Sequence, residues 1–273
     1  MAVTMADIQH LRKMTGAGMM DCKNALVETD GDYDKAVEII RKKGQAVAAK
    51  REDRDASEGC VIAKIENGHA AVVALQCETD FVAKNGDFIA LTEKILDVAM
   101  SNKPKTLEEL LALPLEHGTV SELITDRIGA TGEKMELGYY EYITAPSVVA
   151  YIHPGNKLAT IVGFNKEEVD ANVSKDIAMQ VAAMNPMAIS SDELPKDIKE
   201  KEMEIARDKA REAGKPEQIL DRIAEGALQK FFKDNTLLQQ DYVKDPKLSI
   251  EQFMKQNDKE LTVIAFKRVS LNV

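Results

Sequence analysis

GCVIAKIENGHAAVVALQCETDFVAKNGDF (residues 59–88) decides how the chain divides. Two segments rich in β-branched and apolar residues flank Asn67-Gly68, the strongest short-range signal for a two-residue hairpin turn. The second strand therefore ends near Cys77, and the acidic step Glu78-Thr79-Asp80 delivers a bare aromatic, Phe81, into the turn that follows. From Asp87 the spacing changes to a helical period through Phe88, Ile89, Leu91, Ile95, Leu96, Val98 and Ala99. The unit is strand, turn, strand, loop, helix. Phe81 either folds back as a staple against Phe88 or stands out from the surface beside a carboxylate.

Upstream, apolar positions recur at helical spacing in three blocks. Ile8, Leu11 and Met14 mark the first; TGAG (residues 15–18) breaks the chain; Met19, Met20, Cys22, Ala25 and Leu26 mark the second; TDGD (residues 29–32) breaks it again. The third carries Ala36, Val37, Ile39 and Ile40 and is expected to end near Lys43, with Gly44 as a left-handed cap. Residues 48–59 are charged and read as a solvated linker or an exposed helical extension, which places a domain boundary near residue 55.

Downstream, TLEELLALP (residues 106–114) and TVSELITDRIGATGEK (residues 119–134) open with threonines in capping position and predict two further helices. MELGYYEYITA (residues 135–145) and SVVAYIHPGNKLATIVGFN (residues 147–165) return to strand character, with Pro154-Gly155-Asn156 suggesting a second hairpin before a helix over about 173–184. The order strand, strand, helix thus occurs twice and points to two related subdomains. Between them and the final strand, ELTVIAFKRVSLNV (residues 260–273), two Lys/Glu-rich helices over 195–213 and 216–235 predict an antiparallel hairpin, which is then an insertion. Its second helix repeats Ile219/Leu220, Ile223/Ala224, Ala227/Leu228 and Phe231/Phe232 every four residues. That face either packs on its own partner helix and the body or serves oligomerisation or a partner.

Composition bounds the function. The chain has 273 residues, room for two or more compact units at ~100–200 residues each. Lys+Arg number 36 against 46 Asp+Glu, and the net charge of −10 points away from a nucleic-acid ligand. No apolar run approaches the ~20 residues of a membrane helix, and MAVTMADIQHL lacks the start of a signal peptide, so a cytoplasmic protein is expected. Cys22, Cys60 and Cys77 share no metal-ligand spacing and read as reduced, partly buried thiols. No catalytic centre is legible. TGAGMMDCK (residues 15–23) lacks the spacing of a phosphate-binding loop, there is no serine elbow, and His10, His69, His117 and His153 fall in four different elements. Function by binding, with no cofactor and no metal of its own, is expected.

LRKMTGAGMMDCKNAL (residues 11–26), EIIRKKG (residues 38–44), CETDFVAKNGDF (residues 77–88) and GKPEQILDRIAEG (residues 214–226) together resemble the bacterial elongation factor Ts family, the nucleotide exchange factors of elongation factor Tu. The resemblance spans nearly the whole chain. It implies an α+β multidomain fold: a ubiquitin-associated-like three-helix domain over 1–54, two related α/β core subdomains with antiparallel sheets, and an inserted helical hairpin over 187–235. The core subdomains would cover 55–140 and, for the second, 141–186 with 236–273. The resemblance also implies that Thr79, Asp80, Phe81 and Val82 enter the nucleotide-binding domain of elongation factor Tu near its magnesium and dislodge the ion. Arg12, Met19 and Met20 would hold a helix of the same domain, and His153 would add a contact, although HPGNKLATIV (residues 153–162) is looser than the family's usual sequence. Adjacent methionines at a helix start cannot both face one core, which leaves open whether either is purely internal. Some members carry a further C-terminal helical module after the last strand, and contacts of that kind are not expected here. A homodimer through the hairpin, or a heterotetramer with elongation factor Tu, is a further expectation. Two other readings remain: an interaction scaffold whose three-helix domain binds a ubiquitin-like or other target, and a nucleotide-binding enzyme using the glycines near Thr15. The exchange-factor resemblance further implies no direct nucleotide binding, so binding of labelled GDP to the chain alone separates the enzyme from the others.

Overall fold

Asn67 and Gly68 close the expected hairpin in the computed structural model, which describes residues 3–271. Their φ values of 47° and 73° are both left-handed, as a two-residue turn matched to strand twist requires. The turn joins β1 (Glu58–Glu66) to β2 (His69–Cys77) in continuous antiparallel register, Glu58 opposite Cys77 and Glu66 opposite His69.

Ahead of it, α1 (Met5–Thr15), α2 (Met19–Glu28) and α3 (Tyr33–Arg51) enclose a small core of their own made by Ile8, Leu11, Cys22, Ala25, Leu26 and Ala36. The TGAG segment links two helices, not a strand to a helix, so no phosphate-binding loop forms there. The third helix does not stop at Lys43. It continues through Gly44 to Arg51, and Gly44 is buried in its interior instead of capping its end. The reason lies in the next layer: a methyl on Gly44 would lie 3.3 Å from the Thr125 carbonyl, and one on Gly129 would lie 2.6 Å from Gly44 Cα. Two glycines let two helix backbones touch.

After β2 come a single turn, α4 (Asp80–Ala83), then α5 (Gly86–Asn102) and α6 (Leu107–Ala112). A two-residue ribbon, β3 (Pro114–Leu115) with β4 (Gly118–Thr119), leads into α7 (Val120–Thr131). Thr119 and Glu122 form a full reciprocal cap, whereas Thr106 receives only the Glu109 amide, because the Glu109 carboxylate takes Lys105 N instead. β5 (Met135–Thr144) returns to pair antiparallel with the free edge of β2, giving the order β1-β2-β5. The ladder runs to Thr144 opposite His69, so the chain leaves this sheet after the hairpin turn has been matched, and the boundary expected at 140 falls inside the strand.

The second sheet has the order β10-β7-β6, built from β6 (Ser147–Ile152), β7 (Leu158–Phe164) and, at the far end of the chain, β10 (Val263–Ser270). The two sheets pack face to face through Ala70, Val72, Ala74 and Ile143 on one side and Ala159, Ile161 and Val269 on the other. Outside the first sheet, α5 and α7 cover Ala71, Val73 and Leu75. Outside the second, α8 (Ala171–Met184) and α11 (Ile250–Asn257) cover Val162 and Phe164. Strands buried on both faces need no polar alternation, which is why HAAVVAL reads as one apolar run.

The insertion is α9 (Lys196–Glu212) and α10 (Leu220–Asn235), the latter preceded by a separate 3-10 turn at Glu217–Ile219. Arg207 pairs with Asp221 at 2.8 Å, while Lys199 lies over the Phe232 ring, so the two helices run antiparallel. Their ends meet at a stem where Leu237 N donates to Ala188 O and Leu238 N to Ile189 O, each at 2.9 Å. A small ribbon, β8 (Asp241–Tyr242) with β9 (Asp245–Ser249), follows the stem.

Candidate functional site: a pinned aromatic turn and the three-helix surface

Cys77 ends β2, and the next two residues are fixed from a distance. The Glu78 carboxylate accepts from Lys134 N at 2.7 Å and lies 3.5 Å from Arg51. The Glu133 carboxylate accepts from Thr79 N at 3.1 Å and from Thr79 Oγ1 at 2.6 Å. Thr79 in turn caps α4, its Oγ1 accepting from Val82 N at 3.4 Å. On that single turn Ala83 is buried and Val82 packs against the first core, so the position two residues before Ala83, about 200° round from it, must point away. Phe81 occupies it and is 84% exposed. Phe88 is fully buried inside the helical layer. The staple between them does not form.

Asp80 sits beside the ring and pairs with Lys84 at 2.7 Å, one turn on. The hydrogen bond from Lys84, then its charge, holds the Asp80 carboxyl below the usual carboxylate range, with a smaller contribution from Lys157. Lys157 belongs to the turn between β6 and β7, which lies over the first sheet's edge: Asn156 O accepts from Val61 N at 2.7 Å and Lys157 pairs with Glu58 at 2.7 Å. His153 stands at the start of the same turn, exposed, its Nδ1 2.9 Å from the Tyr151 hydroxyl. The second hairpin therefore comes to the same end of the sandwich as the Phe81 turn.

The remaining expected residues lie on the three-helix unit. Arg12 is exposed in the last turn of α1. Met19 is half-buried against that unit's core, whereas its neighbour Met20 is 64% exposed. Of the two methionines, Met20 is the more open to a partner.

Sequence reasoning missed the groups that hold the site in place. Glu133 is 54 residues from Thr79, and Arg127, whose Nη2 donates to Asn85 Oδ1 at 2.9 Å, is 42 residues from its partner. No local pattern marks either. The three cysteines are unpaired with one another and buried; burial pushes the Cys60 thiol up to about 11 and that of Cys77 to about 12, which removes any ready thiolate. Among the described residues no cluster of three His, Cys, Asp or Glu side chains could hold a metal ion, and no helix is long and apolar enough to cross a membrane. What the geometry offers is an aromatic presented on a clamped turn next to a carboxylate.

The family model described as Elongation factor TS matches residues 78–272. Elongation factor Ts of Porphyromonas gingivalis (strain ATCC 33277) is 63% identical over 273 residues, covering 100% of this chain and 99% of the relative. Elongation factor Ts of Azobacteroides pseudotrichonymphae genomovar. CFP2 is 57% identical, with 100% of both chains covered. That of Bacteroides fragilis (strain ATCC 25285) is 46% identical, with 99% of each covered.

Proposed function

The chain belongs to the elongation factor Ts family and is thereby a nucleotide exchange factor of elongation factor Tu, and we propose that it works by inserting the Thr79–Val82 turn beside that partner's magnesium ion. It exchanges a nucleotide and transforms no substrate. The observation that carries the proposal is the 84% exposure of Phe81 on a turn clamped by Glu133. A large apolar ring has only two rotatable bonds, and the backbone that carries it is already held at Thr79, so entering a pocket costs little ordering of the chain. Magnesium bridges the bound phosphates to the partner's own side chains, so disturbing its coordination weakens retention of GDP. Asp80, held ionised beside the ring, competes for polar partners or repels phosphate. His153 supports the same contact from the neighbouring turn.

Arg12 and Met20 provide the second hold on the partner, from a three-helix unit we take to be ubiquitin-associated-like. Met19 supports the unit from within. The groove between α9 and α10, lined by Ile205, Ala206, Ala210, Ile223 and Ala227, suits self-association, and through it a homodimer or a heterotetramer with elongation factor Tu.

The test is release of fluorescent GDP from elongation factor Tu with and without the chain. The unaltered chain is expected to speed release strongly. Phe81→Ala is expected to keep its circular dichroism and lose ~2 to 4 kcal/mol of transition stabilisation, about thirty- to a thousandfold in rate. Release at the unaltered rate with Phe81→Ala would remove the wedge assignment.

A further inference from the structure

Arg127 lies where the two partner-facing elements meet. Its Nη2 donates to Asn85 Oδ1 at 2.9 Å and lies 3.2 Å from Asp87 Oδ2. The same Asn85 oxygen caps α5 by accepting from Asp87 N at 2.9 Å, and Asn85 N donates to Val82 O at 3.0 Å. On the other side, a methyl on Gly16 would lie 3.7 Å from Arg127 Nη1. The guanidinium therefore faces the turn between α1 and α2, which leads directly to Met19 and Met20.

Holding the side chain there is costly. It is only 15% exposed, and its Nε is buried without a hydrogen-bond partner. Asp87 is 81% exposed, so the ion pair returns little against that desolvation. What the site does use is the planar fork, whose Nη2 holds the Asn85–Asp87 cap while Nη1 faces the Gly16 turn; the single ammonium of a lysine serves one direction.

Resting on the exchange-factor reading above, we infer that Arg127 is a positioning residue for nucleotide exchange: it sets the spacing between the Phe81 turn and the Met20 surface so that both engage one partner domain together. When two contacts are carried on one rigid body, the second forms intramolecularly, at an effective concentration fixed by their geometry. Loosening the bridge leaves the first capture intact and slows insertion of the ring. Arg127 itself touches neither nucleotide nor magnesium.

Stopped-flow release of fluorescent GDP from elongation factor Tu, across a range of factor concentrations, tests this with the full chain. Arg127→Ala is expected to lower the saturating release rate about tenfold, the worth of one charge-assisted contact, with the half-saturating concentration held within about twofold. In a Phe81→Ala background the same change is expected to cost nothing further, because the step it supports is already lost. Arg127→Lys keeps the charge without the fork and is expected to lose about threefold, again only when Phe81 is present. Should Arg127→Ala fail to fold by circular dichroism, Arg127→Lys is read by the same criteria. An equal loss with and without Phe81, or a loss confined to the half-saturating concentration, would mean an ordinary structural role and overturn the inference. So would release at the unaltered rate. No acceleration by the unaltered chain overturns the exchange reading itself, and this inference with it.

Discussion

Whether an aromatic in a turn is held out or folded in is decided by its neighbours on the same turn. Val82 and Ala83 take the inward positions of α4, which leaves Phe81 outside. The sequence placed Phe81 just past a strand but could not choose between staple and wedge, because a four-residue helix shows no periodicity and its clamp, Glu133, is 54 residues away. The paired methionines were more legible. Adjacency alone required one of them to face outward, and the packing identifies Met20. Their fates under substitution should therefore separate. Met20→Ser is expected to weaken capture of elongation factor Tu by ~1 to 2 kcal/mol, about five- to thirtyfold, with an unchanged melting midpoint. Met19→Ser is expected to lower the midpoint of the three-helix unit, since a half-buried thioether is replaced by a hydroxyl with no partner. Titration calorimetry beside a thermal melt reads both. Equal affinity losses from the two changes would show that Met19 also reaches the partner.

At the scale of elements, the crossing of α3 and α7 joins the three-helix unit to the core. From the sequence Gly44 reads as a helix end, because a glycine after an apolar stripe is the usual signature of a left-handed cap. Nothing local distinguishes that from a glycine kept small for a neighbouring helix, and its counterpart, Gly129, is 85 positions later in the chain. A methyl on Gly129 would lie 2.6 Å from Gly44 Cα, a distance no pair of carbons tolerates, and the obstacle is backbone. Gly129→Ala gains ~1 kcal/mol of helix propensity, yet forcing the two helices apart costs ~1 to 3 kcal/mol or more. The clash wins. The substitution is expected to lower stability and to loosen the three-helix unit from the core, releasing protected amides of α3 and α7 to hydrogen exchange. Gly44→Ala, which meets Thr125 O at 3.3 Å, should follow in the same direction but more mildly. Unchanged protection in Gly129→Ala would mean that the two helices can part without consequence.

For the whole molecule, the repeated order of strand, strand, helix was legible, because it rests on hydrophobic period and turn chemistry. The stacking was not. That the sheets meet face to face between two helical layers depends on which faces of β2 and β7 are covered, and a strand buried on both sides carries no alternation from which to read it. The two-residue strands β3, β4 and β8 are likewise too short for any period to register. The sandwich presents Phe81 at one end of the molecule, with the His153 turn beside it. Exchange is a linkage between two ligands of one protein: if this factor lowers the affinity of elongation factor Tu for Mg-GDP, then Mg-GDP lowers the affinity for the factor by the same ratio. A coupling of ~4 to 5 kcal/mol corresponds to three to four powers of ten, enough for rapid release and still reversible when nucleotide is abundant. The complex is thus expected to be tight without nucleotide and to dissociate as Mg-GDP is added. If the ring acts through the ion, as proposed, chelating magnesium should also shrink the factor's advantage, since GDP then leaves faster unaided and Phe81 has less left to disturb. The measurement is the release rate at saturating factor divided by the spontaneous rate, followed from trace to millimolar magnesium. A ratio that climbs with magnesium supports the wedge; a flat ratio would mean that the factor pushes on the phosphate loop or the base, with the pinned aromatic serving only to hold the partner.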